Sequence, residues 1–547
     1  IYAMETWKKV AIGAAAVVVV GAGTRAAGLW GGSANGGKNL SFQLPTPIQT
    51  LDISKNTDTY SGTIIGNSGA NLMRVDSKGK PQLELAKSVK ASKDGMTYTV
   101  VLKDGLKWSD GSKLTAQDIV YTWQRIVNPK TASQYAYLAS GVKNADQISA
   151  GKAAVNTLGV TAKGNTITFQ LERPLPQFEY LLTFTNFMPQ KESYVDKQGK
   201  KYATNSDTTL YSGPYKVQGW NGTNNTFKMV KNDNYWDAKN VKTKEIDVQV
   251  VQKPDTAVQL YKQGKIDRVS IANTPELYKA NKNNKDAVKA PEATTAFLEY
   301  NQTGKNKFLS NAKIREALNL ATNRKELTDQ VTSGISTPAS GLVPEDLAKT
   351  SSGGDLAKYV APGYTFDAKK AADLFKEGLQ ELGEKSASLT ITSDADSPAA
   401  KSTLDYLQGS WEKALPGLKI NEKLVPFQQR IKDSQTQNFD VVVTLWGGDY
   451  PEGSTYYDLF KDGASYNNGQ FKNETYTSAV KKAETTDVLD QSARDKDYKA
   501  AEAALFKDSN INPLYFRSGY SLQNPKVTGM VINTTGLNQD WKLAVKK

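Results

Sequence analysis

Cysteine and histidine are both absent from this 547-residue chain. Without histidine there is no Ser-His-Asp or Cys-His nucleophile system and no imidazole base. Without either residue, zinc, iron–sulfur and common haem ligation are excluded, and any metal site would have to be an all-oxygen one for calcium or magnesium. Disulfides are excluded as well, which fits an exported protein that avoids thiol oxidation and is also compatible with drift. Arginine is scarce: ten of the 69 basic residues are Arg, and the net charge of +13 comes almost wholly from lysine. Arg is the side chain suited to bidentate phosphate and base contacts, so a dispersed lysine excess reads as a solvated surface, and no nucleic-acid partner is expected.

What is present is an ordinary globular composition, with 39% hydrophobic and 23% charged residues. The length suggests several structural units and ample core. At the N-terminus, Lys8 and Lys9 precede the apolar, small-residue run Val10 to Ala22, followed by Gly23-Thr24-Arg25. A basic segment, a short apolar run and small residues form a secretory leader, too short for a membrane span. We expect a signal peptide over residues 1–28 and a flexible tether over 29–39, which holds Gly31-Gly32-Ser33-Ala34-Asn35-Gly36-Gly37. That order is the layout of a surface lipoprotein, yet Leu29-Trp30-Gly31-Gly32-Ser33 offers no cysteine for lipid attachment.

Residues 40–110 read as short strands and turns, among them the alternating Tyr98 to Leu102. Thr115, three residues before Asp118, opens a helix carrying Ile119, Trp123, Ile126 and Val127 and stopped by Pro129. Strand patterns dominate again over 155–255, and Asn311 caps a helix with Ile314, Ala317, Leu318 and Ala321 on one face. From 365 to 450 helices and strands alternate: a helix after Asp367, a strand at Leu389–Thr392, a helix over 397–414, a strand at Leu418–Leu424, a short helix near Gln428 to Asp433, and the nearly unbroken apolar strand Phe439 to Trp446. A strand apolar on both faces predicts a parallel sheet covered by helices, and ligands of such sheets sit beyond the carboxyl ends of the strands. Gly447-Gly448-Asp449-Tyr450-Pro451 occupies that place. Locally, Asp449 reads either as part of a turn or as an acid held at a crevice.

Taken in order, Thr50-Leu51-Asp52, Leu106-Lys107-Trp108-Ser109-Asp110-Gly111, Ala116 to Trp123, Ser212-Gly213-Pro214-Tyr215, Asn234-Tyr235-Trp236, Ile314 to Leu318, Trp446-Gly447-Gly448-Asp449-Tyr450 and Asn512-Pro513-Leu514-Tyr515 carry a resemblance. From about 45 to 545 the chain resembles the oligopeptide-binding proteins, the solute-binding receptors of bacterial peptide ABC importers. The resemblance implies an α/β, two-lobe, periplasmic-binding-protein-like (type II) fold. Lobe one would span 40–297 plus 523–547, with an extra subdomain near 85–205, and lobe two 298–522. The hinges would lie near Thr294 to Asn301 and Tyr515 to Gln523. It further implies a non-enzymatic, monomeric receptor with no cofactor and no metal, exported to the outer face of the cell membrane. There it would bind oligopeptides and deliver them to the permease, held by an N-terminal anchor or by docking.

By the same resemblance Asp449 pairs with the ligand's α-ammonium, and Leu445, Trp446, Gly447 and Gly448 line the site. Thr57, Asp58 and Thr59 bracket the peptide from the other lobe, and Tyr135 lies near its N-terminus. Enclosing a carboxylate demands a cation, and an ammonium supplies both charge and donors. The chain departs from the family in one respect: Val443 stands where some relatives have an Arg, and no histidine is available to meet a peptide C-terminus. Recognition of that carboxylate by those positions is therefore not expected. Nickel or haem carriage is likewise disfavoured. Two other classes remain open from sequence: a sensor or adhesin on the same fold, and a carboxylate-pair glycoside hydrolase, for which no acidic pair is set apart by motif.

Overall fold

The computed structural model describes residues 39–272, 274–395 and 399–547. The expected leader, and all but the last residue of the tether, lie outside them. Near the start, Asp58 caps a helix α1 (Thr59–Ser68) by accepting from the Ser61 amide at 2.7 Å. This helix corrects the expectation of strands and turns alone over 40–110. Its Thr, Ile, Gly, Asn and Ser residues are weak helix formers, so tertiary packing and the cap hold it.

The strand Leu40–Leu44 pairs parallel with Glu245–Val250, which continues antiparallel into Thr226–Lys231 and Tyr215–Gln218. A separate antiparallel sheet, Ala86–Ala91, Thr97–Leu102, Thr166–Gln170 and Val160–Lys163, is backed by α2 (Ala116–Val127). The α2 cap forms as expected: the Thr115 amide donates to Asp118 Oδ2 at 2.9 Å, and the Trp108 indole donates to the same oxygen at 3.0 Å. Trp123 then stacks on Phe187 at 3.9 Å, inside a core that runs from Leu40 to Val250 and takes back Val527, Trp541 and Ala544.

The largest described sheet is built from β1 (Arg268–Ser270), β2 (Ala287–Tyr300), β3 (Ala387–Asp394), β4 (Leu418–Val425), β5 (Val441–Gly447) and β6 (Ile511–Gln523). Its spatial order is β1-β6-β2-β5-β3-β4, and a seventh, two-residue strand, Thr337–Pro338, pairs with β6 off this path. Strands β3, β4 and β5 are mutually parallel, as the apolar run of β5 implied, and Val441, Val442 and Val443 are all buried. The sheet as a whole is mixed, however, because β2 enters it from the first body and β6 returns, so β2 runs antiparallel to both β5 and β6. Helices Ala312–Leu320, Ala368–Glu381 and Ala400–Ala414 cover one face of the parallel part, and residues 397 and 398 of the last expected helix lie outside the description. A second core, holding Trp446, Tyr456, Tyr457 and Tyr498, lies on the other face.

The long pair β2–β6 is irregular in its middle: the register shifts between Pro291 and Thr295, opposite Ser518 and Phe516. On the near side of that break β6 also pairs with β1, and a small core of Val251, Ile266, Val269 and Leu522 closes it. On the far side lie the two cores of the parallel unit. Two strands and a local break are thus the covalent links between the bodies, and a cleft opens beside them.

Candidate functional site

Asp449 follows the C-terminal end of β5. Its loop is fixed from several sides: Gly448 N donates to Ala293 O at 2.7 Å, Asp449 N donates to Thr455 Oγ1 at 3.0 Å, and the Tyr456 hydroxyl, with one proton to share, lies 2.8 Å from both Ala293 O and Trp446 O. A β-carbon on Gly448 would come within 2.8 Å of Leu347 Cδ1 and 3.3 Å of Tyr456 Cε2, so a side chain there would require both neighbours to shift. The Asp449 carboxylate is half-buried and faces across the cleft to the Tyr137 hydroxyl, which donates to Oδ1 at 3.4 Å. The Tyr466 and Tyr456 phenols are pushed up, first by burial and further by the Asp449 charge. The carboxylate itself lines a cavity that Tyr60, Tyr135 and Phe184 also line.

The cavity here measures about 350 Å³ and brings together Thr57, Asp58, Thr59 and Tyr135 from the first body with Gly447, Gly448 and Asp449 from the second. Tyr135 is 4% exposed and stands beside Tyr137, with ring centroids 5.8 Å apart. Asp58 Oδ1 is engaged in capping α1. Leu445 lines the adjoining, larger cavity of about 520 Å³. Trp446 corrects an expectation. Alternation along β5 sends its side chain to the opposite face from Leu445 and Gly447, where the indole donates to Thr455 O at 2.9 Å and packs against Tyr466. Its ring borders neither cavity of the cleft; it anchors the loop.

The backbone of β5 has a second property. The Gly448–Ala293 bond marks a bonded pair, so by the antiparallel alternation Trp446 bonds to β2 while the amides and carbonyls of Leu445 and Gly447 point to the other edge. Strand β3 pairs with β5 only at Val441 and Val442. Among the described residues no strand pairs with that edge further along.

Several cleft residues escaped sequence reasoning: Tyr137, and the ion pair of Glu292 on β2 with Arg517 on β6, 3.1 Å apart, which lines both cavities. Tyr137 lies two positions from Tyr135, but nothing in Tyr135-Ala136-Tyr137 distinguishes the two rings. Among the described residues no group of three or more acidic side chains is arranged to hold a metal ion.

Similarity to known proteins accords with this geometry. Residues 80–468 match the family described as bacterial extracellular solute-binding proteins, family 5. The chain belongs to that family. It is 46% identical over 522 residues to the dipeptide-binding protein of Lactococcus lactis subsp. cremoris, covering 93% of this chain and 94% of that one. It is 28% identical to the oligopeptide-binding protein OppA of Bacillus subtilis, covering 92% and 91%. Among solved structures, Listeria monocytogenes OppA bound to peptide aligns with TM-score 0.71 at 34% identity, covering 94% of this chain and 100% of that one. The unliganded open form of the murein tripeptide-binding protein MppA aligns with TM-score 0.80 at 27% identity, covering 93% and 98%. The fold is therefore the two-lobed type II solute-binding fold with an extra subdomain. No described helix is long and apolar enough to cross a membrane.

Proposed function

We propose that this protein is a non-enzymatic receptor that binds oligopeptides between its two lobes and delivers them to the membrane permease of an ABC importer. The observation that carries this reading is the half-buried Asp449 carboxylate, set at the mouth of an unpartnered strand edge and faced by Tyr137 from the other lobe. An ammonium docks at Asp449, and the peptide main chain continues along the amides and carbonyls of Gly447 and Leu445 as an added strand, with Thr57 to Thr59 on its other side. Main-chain pairing supplies affinity without reading side chains. The roomy second cavity tolerates side chains of varied size.

The lobes divide as 40–297 plus 523–547 and 298–522, with the subdomain near 85–205. The hinges lie near Thr294 to Asn301 and Tyr515 to Gln523, and the register shifts of β2 against β6 between Pro291 and Thr295 and between Ala296 and Phe297 support that position. Closer alignment with the unliganded open form of MppA than with peptide-bound Listeria OppA supports an open resting state. Closure is driven by contacts that the ligand makes in the closed form alone. The expected leader and tether and the extracellular family support a location outside the cell, where the protein acts as a monomer held by an N-terminal anchor or by the permease. A second reading, a receptor for a signalling peptide, is favoured by alignment with the pheromone receptor PrgZ at 30% identity and TM-score 0.71.

Native mass spectrometry of the purified protein with an equimolar mixed pentapeptide pool tests the proposal. One peptide retained per chain, of unchanged mass and varied sequence, is the expected result. Retention of a single sequence favours the signalling receptor, and cleaved or unretained peptide contradicts both.

A further inference from the structure

The two cavities of the cleft are continuous, since Thr59, Tyr60, Glu292, Arg517 and Asn538 line both. The larger one extends to β1, where Arg268 lines it. Arg268 is only 9% exposed, and its guanidinium donates to the side-chain oxygen of Gln523, a neutral acceptor. Among the described residues no carboxylate pairs with it. The acids that line the same cavity are engaged elsewhere: Glu292 with Arg517 at 3.1 Å, and Asp394 with Arg430 at 3.7 Å. Burial pulls the Arg268 guanidinium down to about 10, with no acid to oppose the effect. A buried cation without a counter-ion is costly, and the cost is recovered when a ligand brings an anion.

We propose that Arg268 receives a carboxylate of the bound peptide, either its C-terminal group or an acidic side chain, in the chamber that Asp449 does not line. The inference rests on the peptide-binding reading and adds a length and charge preference to it. The strand order places β1, β6, β2 and β5 side by side, so three strand spacings, about 14 Å, separate the strand of Arg268 from the strand that carries Asp449. An extended peptide advances about 3.4 Å per residue. A dipeptide reaches only about 7 Å, half of that separation, so a carboxylate that meets Arg268 belongs to a longer peptide whose chain turns away from the β5 edge beyond its first residues. The guanidinium can hold such a carboxylate through two parallel hydrogen bonds. Here the chain supplies, from lobe one near the crossing strands, the cation that Val443 does not provide.

Calorimetry on the full chain decides the matter with alanine pentapeptides that share a free amine. They are a C-terminal acid, a C-terminal amide, an amide with Glu at the fifth position, and its Gln counterpart. Both carboxylate peptides are expected to bind at least about tenfold tighter than their neutral partners. Arg268→Gln should erase that preference and leave the affinity for the amide within about twofold, Arg268→Lys should keep part of it, and dialanine should be indifferent to both. A preference that survives in Arg268→Gln, or a wild-type protein with no preference, overturns the inference. Should Arg268→Gln fail to fold, the wild-type acid–amide comparison and Arg268→Lys still decide. Amides that bind while acids gain nothing refute only this inference; failure of every peptide to bind refutes the reading beneath it.

Discussion

In lobe one the buried carboxylates meet arginine, whereas in lobe two, beneath the loop that carries Asp449, they do so far less. Arg74 donates to both oxygens of Asp540, at 2.5 and 2.8 Å, and reaches Glu84 at 3.2 Å. Arg125 does the same for Asp52 at 2.5 and 2.9 Å. Burial alone would raise Asp540, but the Arg74 charge and hydrogen bonds win and hold it below the usual carboxylate range. Across the cleft, burial pushes Asp458 up to about 8 in spite of Lys461, and pushes Glu502 up to about 7 in spite of the Leu342 amide. The buried acids of lobe one are ion-paired, whereas burial keeps Asp458 and Glu502 of lobe two largely or partly protonated near neutral pH. Asp449 lines the cleft from lobe two and suits an ammonium guest, and Arg268 lines it from lobe one, with the neutral Gln523 as its acceptor, and suits an anionic one.

The largest effect expected from breaking this contrast is on lobe one. Arg74→Ala strands Asp540 and Glu84 as buried, unpaired acids and should cost about 3–5 kcal/mol of stability, read as a fall in the thermal midpoint. A loss under about 1 kcal/mol would show that water replaces the guanidinium. In lobe two the sign of the pH dependence is reversed. A carboxyl raised in the folded state contributes stability that is complete below its unfolded value and is lost as pH rises toward the folded one. Glu502 should therefore weaken the fold between about pH 4.5 and pH 7. Asp540, being lowered, contributes above about pH 4 and loses its contribution only on further acidification. Glu502→Gln should be more stable than the parent at pH 8 by roughly 1–3 kcal/mol, and closer to it at pH 4.5. Equal differences at both pH values, measured by chemical denaturation, would contradict the assignment.

The smallest effect concerns the contact that joins the two walls. Tyr137→Phe removes one hydrogen bond to Asp449 and leaves the ring packing, so free-amine peptides should bind about two- to tenfold more weakly with unchanged thermal stability. No change in affinity would show that the hydroxyl turns away once a ligand is bound.

Sequence patterns exposed the parts of the molecule in which one physical rule dominates. The Thr115–Asp118 box and its apolar face defined α2, and the valines of β5 defined a strand buried on both faces. The glycine pair after β5 located the crevice, and family resemblance pointed to Asp449 as the partner proposed for the ammonium. Other features depend on context that no local pattern carries. Helix α1 forms from poor helix formers because its faces are buried and Asp58 caps it. Strand alternation turns Trp446 away from the cleft, although the resemblance named it with its neighbours. Glu292, Arg517 and Arg268 converge from crossing strands far apart in sequence, and each alone is an ordinary charged residue. The fold was thus more legible than the cleft, because elements follow short-range periodicity whereas the cleft is made by elements that meet late.

The central claim is that the Asp449 carboxylate holds a peptide's amino terminus. Its most direct test is a calorimetric cycle of wild type and Asp449→Asn against one pentapeptide with a free and with an acetylated amine. The account predicts that wild type prefers the free amine by about 30-fold or more, a coupling of about 2 kcal/mol, and that Asp449→Asn loses this preference. A preference of the same size in Asp449→Asn would contradict it.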